Sequence, residues 1–307
     1  MGPPLRFGLV ATDPGWLPGE LEALDASGFD ALYVVDHPAF PTPDPWTWLA
    51  FAAARTRRIR LGTHVTGSPF HHPARLAKQV ATVDALSGGR AILGIGSGYE
   101  RQDFEPYGFR MPPFAERVAQ LDEMLGLLVS LWTEERTEFE GRYYQLRGGA
   151  SFAPRPVQSP HPPLVLGLNR PGALLDLAAR RAQAINTWQL GPDQVAALSD
   201  PLARACERAD RDPATLELTC DVLLARGADR ARAETLARRI RDMARSWGRA
   251  QSVTEWGAGG VLHGDADDVL EQLEAFRAAG AREVAVSVFG AEDARWLHES
   301  VLSHGVR

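Results

Sequence analysis

Four short stretches place reactive or ligand-binding side chains directly after apolar runs. Asp36 and His37 follow Ala31–Val35, and His64 stands within Gly62-Thr63-His64-Val65-Thr66 at the end of Ile59–Val65. An aspartate beside a histidine can orient an imidazole and tune its proton for general acid/base work. The same two residues can equally cap a helix and line a cleft. His64 can reach a ligand, or serve as hydrogen-bonded scaffold. The third stretch, Gly94-Ile95-Gly96-Ser97-Gly98-Tyr99-Glu100, lets a planar ring or a phosphate approach the backbone, or simply fits a narrow interior. It is not the dinucleotide fingerprint, because its third glycine comes too early. The fourth, Gly167-Leu168-Asn169-Arg170-Pro171-Gly172, turns into a helix whose first N–H groups suit a phosphate, and an ordinary helix start explains it as well.

Those positions matter because of the elements that must carry them. Apolar runs occur at Leu5–Ala11, Ala31–Val35, Ile59–Val65, Ala91–Ile95, Pro163–Gly167, Ala184–Trp188, Leu216–Ala225 and Glu283–Phe289. Stretches of helical period alternate with them, as parallel βα units require. Phe114–Trp132, for example, puts Val118, Leu121, Leu125 and Leu128 on one face. Further helices are expected at Leu17–Ser27 with Gly28 as its cap, Pro45–Arg55, Pro73–Leu86, Pro171–Arg181, Pro192–Ala209, Asp268–Ala279 and Glu292–Leu302. Eight strands close a (β/α)8 TIM barrel, and the α/β pattern predicts one such domain over residues 1–307. Insertions are expected after the fourth helix (Thr133–His161, irregular) and after the seventh strand (Gly227–Gly260, with a charged helix at Arg230–Trp247). Both are expected to wall the catalytic face, which in a barrel lies at the strands' C-terminal ends.

Composition excludes other classes. Net charge is -6 with mixed signs and no basic block, so neither nucleic acid nor an anionic membrane is an expected partner. No apolar run reaches a membrane-spanning length and the N-terminus lacks a signal pattern, which predicts a soluble cytoplasmic protein. Cys206 and Cys220 are expected as buried free thiols. His71 and His72 read as structural residues at a helix start, and no histidine has metal-ligand spacing, so no metal is expected. Lys78 is the only lysine.

Taken in order, these pieces resemble the luciferase-like monooxygenase family, which includes bacterial luciferase and the deazaflavin-dependent dehydrogenases and reductases. The strongest stretch is RRIRLGTHVTGSPFHHPARLAKQVATVDALSGGRAILGIGSGYERQDFEPYG (Arg57–Gly108), with SGGR followed by LGIGSG as its most specific part. GFDALYVVDH (Gly28–His37), FEGRYYQL (Phe139–Leu146), PRPVQSPHPPLVLG (Pro154–Gly167) and GDADDVLEQLEAFRAAGAREVAV (Gly264–Val286) support it.

The resemblance implies an oxidoreductase holding a deazaflavin, coenzyme F420, or alternatively flavin mononucleotide, over the barrel mouth. Carried over by position, Asp36 and His37 lie near the ring, and Thr63, His64 and Val65 form a strand end where deazaflavin members have a non-prolyl cis peptide. The matching bond is His64–Val65. Gly96, Ser97, Gly98 and Tyr99 border the ring, while Gly167, Leu168, Asn169, Arg170, Pro171 and Gly172 hold the cofactor phosphate. His37 is the expected proton donor, with Tyr99 and Glu100 as alternates. The short chain favours F420 and hydride transfer to or from a small organic molecule. The alternatives are a two-component flavin monooxygenase served by a separate reductase, a non-catalytic cofactor carrier, or a barrel repurposed without cofactor. Family habit implies a homodimer. Many relatives carry small residues at position 64 and a glycine-rich turn where Leu168-Asn169-Arg170 stands.

Overall fold

The computed structural model describes residues 4–12, 14–168, 171–226 and 260–304, together with 231, 235 and 238. Eight strands, all parallel, close a barrel in the order β1 (Arg6–Ala11), β2 (Ala31–Val34), β3 (Arg60–Thr63), β5 (Ala91–Gly96), β8 (Leu164–Gly167), β9 (Ala184–Trp188), β10 (Glu217–Arg226) and β12 (Glu283–Val288). β12 returns to β1, pairing Arg6 with Glu283 and Ala11 with Val288. Two short strands extend the sheet at the C-terminal end: β4 (Thr66–Gly67) beside β5, and β11 (Val261–Gly264) beside the second half of β10. Buried on both faces, the strands read as near-continuous apolar runs, which is why each run in the sequence marks a strand.

Helices cover the outside and shield one continuous apolar core. α1 spans Leu21–Ala26, and α2 (Pro45–Arg55) is capped by Asp44, which accepts from Thr47 N at 2.8 Å. α3 (Pro73–Ser87) starts at His72, whose Nδ1 accepts from Ala74 N at 3.3 Å, and ends in left-handed Gly88. α4 (Phe114–Thr133) buries Val118, Leu121, Leu125 and Leu128 as its period requires. α5 (Ala173–Arg181), α6 (Pro192–Ala196), α7 (Ser199–Arg208), α8 (Ala266–Ala278) and α9 (Ala291–Trp296) complete the described set. The family-specific SGGR segment is structural. Arg90 is buried and donates to Thr56 Oγ1 and to the carbonyls of Ala53, Thr56, Ile59 and Ser87, which staples α2 to the start of β3.

Several expectations need correction. The first helix is a short 3-10 turn, Pro14–Gly19, followed by α1, and Ser27 rather than Gly28 ends it. Pro192–Ala209 breaks into α6 and α7, and the last helix passes into a π-helical turn at Leu297–Val301. Thr133–His161 is not wholly irregular: β6 (Thr137–Glu140) and β7 (Gln145–Ala150) form an antiparallel hairpin. Nor does it wall the catalytic mouth. It leaves the C-terminal end of a helix to enter the N-terminal end of a strand, and that connection opens at the other end of the barrel. It then lies along α3 and α4, where Glu123 accepts from the N–H groups of Arg142, Tyr143 and Tyr144, and Asp84 from those of Val157 and Gln158. The helix expected at Arg230–Trp247 falls mainly outside the described residues.

Cys206 and Cys220 are buried as separate thiols, and burial pushes Cys220 up to about 12. Among the described residues no helix is long and apolar enough to cross a membrane, and no cluster of His, Cys, Asp and Glu could hold a metal ion.

Candidate active site at the barrel mouth

A cavity of about 1010 Å³ opens at the C-terminal ends of the strands. Its floor is built from the top of the barrel interior, where inward positions turn from apolar to polar. Asn186 accepts from Thr219 Oγ1 at 2.9 Å, and Asp221 accepts from Ser287 Oγ at 2.9 Å. Below them Tyr33 lies across the barrel and donates to Glu283 at 2.6 Å. Stacked on Tyr33, with centroids 3.6 Å apart and planes 10° from parallel, is the imidazole of His64. Among the described residues, neither of its ring nitrogens has a hydrogen-bond partner. Burial lowers its pKa to about 3, so the ring is neutral at ordinary pH.

The end of β3 is shaped by glycines on its neighbours. His64–Val65 is a cis peptide. A Cβ on Gly94 would stand 1.9 Å from the Thr63 carbonyl oxygen, and one on Gly167 would stand 3.0 Å from Val65. The glycines of β5 and β8 therefore make room for the chain's own bulge at Thr63–Val65, and through it for whatever rests on Val65. Thr63 itself is not on the cavity wall. Its hydroxyl donates to Gly94 O at 2.7 Å and accepts from Thr66 at 3.0 Å, which locks the bulge to β5.

Asp36 and His37 do not pair with each other. Each finds a distant partner instead. Asp36 accepts from Gly67 N at 3.3 Å and pairs with His71 Nε2 at 2.8 Å. His37 Nδ1 lies 2.6 Å from Asp103 Oδ2, while Asp103 Oδ1 accepts from Ala39 N at 3.0 Å. Phe40 stacks against His37 at 4.4 Å and Tyr99 meets its edge at 5.8 Å. An imidazole held at Nδ1 by a buried carboxylate and facing a cavity has the geometry that general acid/base work requires.

The opposite wall begins α5. Its N-cap Gly172 offers no side-chain cap, and Gly172, Ala173 and Leu174 border the cavity. Among the described residues no side chain caps the first N–H groups of that helix, an arrangement that suits an anion. Asp36, His37, His64, Val65, Gly96, Ser97, Gly98, Tyr99, Gly167, Leu168, Pro171 and Gly172 all line the one cavity. Glu100 is buried away from it, and Asn169 and Arg170 lie outside the described residues. Sequence reasoning missed Asp103, Asn186, Gln189, Asp221 and Ser287. For Asn186, Asp221 and Ser287 a signal existed: each is a polar residue within an otherwise largely apolar strand. For Asp103 none did, because its partner lies 66 positions away.

A (β/α)8 barrel with a deep mouth cavity, an acid/base dyad on one wall and an uncapped helix start on another defines a class of enzymes that act on bound cofactors and small molecules. The chain belongs to the luciferase-like monooxygenase family, whose model matches residues 18–283. It is 34% identical over 233 residues, 70% of this chain and 67% of the relative, to an F420-dependent glucose-6-phosphate dehydrogenase of Nakamurella multipartita. Its fold resembles that of an F420-dependent secondary alcohol dehydrogenase, with TM-score 0.84, 19% identity, and 99% and 100% of the two chains covered. A monooxygenase from Streptomyces bottropensis shares the fold as well, with TM-score 0.80, 24% identity, and 98% and 99% coverage.

Proposed function

We propose that this chain is a coenzyme F420-dependent oxidoreductase acting on a small organic alcohol or the corresponding carbonyl compound, with His37 handling the proton. The observation that carries the reading is the His37–Asp103 dyad on the wall of the same cavity that the uncapped start of α5 borders. Identity with the F420-dependent relative supports the choice of cofactor.

The residues present fit a deazaflavin. The cavity is large enough for a tricyclic ring with its side chain, given that pockets for such molecules run to about 1,000 Å³. Val65, backed by glycines, presents an apolar surface to a flat ring, and the N–H groups at Ala173 and Leu174 suit the phosphate. When bound, the deazaflavin supplies hydride transfer. The protein supplies position and a proton relay. Asp103 fixes the His37 tautomer, leaving Nε2 to take a hydroxyl proton during oxidation or return it during reduction. Asp103 also stabilises the imidazolium once the proton has arrived.

The test is a titration of purified protein with F420 and with flavin mononucleotide, followed by fluorescence quenching. F420 is expected to bind at least tenfold tighter. Tighter binding of flavin mononucleotide by tenfold would reverse the assignment in favour of a flavin monooxygenase served by a reductase.

A further inference from the structure

Asp36 and His37, neighbours just past β2, each reach a different loop. Asp36 Oδ2 accepts from Gly67 N at 3.3 Å and lies 2.8 Å from His71 Nε2, while His37 Nδ1 lies 2.6 Å from Asp103 Oδ2. His72 caps α3, whereas its neighbour His71 turns to Asp36. His71 belongs to the loop before α3, and Asp103 to the segment between β5 and α4. These two segments pack on each other: Phe70 meets Phe104 and Phe109, with ring centroids 5.0 Å apart in both cases.

The contacts close a circuit. Along the chain Asp36 is joined to His37, Asp103 to Phe104 and Phe70 to His71. Between those pairs run the His37–Asp103 contact, the Phe104–Phe70 contact and the His71–Asp36 contact. Asp36, Asp103 and Phe104 are buried, so the circuit has little room to deform. Phe70 also lies over Gly67, where a Cβ would overlap its ring. A buried carboxylate is costly without donors. Removing the His71 N–H takes one from Asp36, and any turn of Asp36 to recover a donor displaces the residue bonded to it, His37.

From this circuit we infer that His71 is a positioning residue for His37. It acts through Asp36, and keeps the His37 imidazole and the Asp103 carboxylate in the alignment that proton transfer needs. The inference rests on the acid/base reading of His37 given above and adds the residue that supports it.

The experiment follows the full-length protein by proton NMR and by turnover of oxidised coenzyme F420 with cyclohexanol. The proton between His37 Nδ1 and Asp103 is expected as a downfield resonance that His37→Ala abolishes. His71→Phe keeps a ring and loses the N–H, and is expected to broaden or abolish that resonance. His71→Gln restores an N–H donor and is expected to retain it. His71→Asn, whose amide falls short of Asp36, should match His71→Phe and covers the case in which Phe disturbs the fold. Turnover should fall about tenfold to a hundredfold in His71→Phe, with KM within about twofold, and should recover in His71→Gln. In a His37→Ala background, His71→Phe should cost nothing more. An unchanged resonance in both His71→Phe and His71→Asn overturns the inference, as does an equal loss of turnover with and without His37. Full turnover by His37→Ala, with the resonance lost in His71→Phe, removes the proton role from His37 and leaves His71 as the residue that holds it. If the wild type does not turn over cyclohexanol, the substrate reading falls and the resonance alone decides the part played by His71.

Discussion

The two ends of the barrel use their polar groups in opposite ways. At the N-terminal end, Arg6 reaches Glu217 and also lies 3.3 Å from Glu283, and Glu283 receives the buried Tyr33 hydroxyl. That network closes on itself. At the C-terminal end both nitrogens of His64 and the Nε2 of Gln189 are buried without a partner among the described residues, and the His37–Asp103 dyad faces a cavity. The two behaviours are close in sequence at β2: Tyr33 on the strand belongs to the closed end, and His37 just past it to the open one. The lesson is that polarity inside a barrel is stabilising where its partners are built in, and is available for chemistry where they are not.

The contrast can be broken first at the dyad. His37→Ala is expected to lower turnover about 10²–10⁴-fold while unfolding free energy stays within about 1 kcal/mol, measured by steady-state rates and urea denaturation. Full turnover would place the proton on another group, with Tyr99 the next to test. At the other end the pattern should invert. Glu283→Ala strands the Tyr33 hydroxyl and half of the Arg6 pairing, and is expected to cost about 3 kcal/mol of stability. The deazaflavin dissociation constant should not change, because the site lies at the far end of the strands. A variant that loses affinity without losing stability would erase the distinction between the ends.

A third test uses acid. His64 titrates near 6.5 in the unfolded chain and is held at about 3 in the folded one by burial. The unfolded state therefore binds the extra proton between those values. The stability tied to the neutral ring is whole above pH 6.5 and drains as pH falls toward 3, reaching a loss of roughly 2–3 kcal/mol at pH 4.5. His64→Phe keeps a ring stacked on Tyr33 and is expected to flatten that part of the stability profile. An identical slope in both proteins would mean that other groups govern acid sensitivity. The smallest effect is expected at α5. Ala173→Asp places a negative charge where the cofactor phosphate is assigned and should weaken F420 binding by about 1–2 kcal/mol, while the helix itself gains a favourable N-terminal charge. Unchanged affinity would reduce the start of α5 to an ordinary helix end.

Much of the scaffold was legible before any coordinates because its signals are local. Eight apolar runs separated by helical periods determine a parallel barrel, since a strand buried on both faces must be apolar throughout and its covering helix must be amphipathic. The barrel in turn determines that residues just past each run face one mouth, which is how His37, His64, Ser97 and Leu168 could be named from the chain alone. Local signals end there. Whether Asp36 would serve His37 was undecidable from adjacency, and the tertiary structure decided otherwise, giving Asp36 to His71 and His37 to Asp103. The use of the glycines of β5 was likewise a tertiary matter, because the Thr63 carbonyl that forbids a Cβ at Gly94 comes from another strand. The position of the Thr133–His161 insertion followed from which end of the barrel its connection opens onto, and the carboxylates of the cavity found their partners far away in sequence. Periodicity is a property of neighbours along the chain, so the sequence determined the frame. Pairing in a barrel is a property of strands brought together from distant positions, so only the folded molecule decided which side chain answers which.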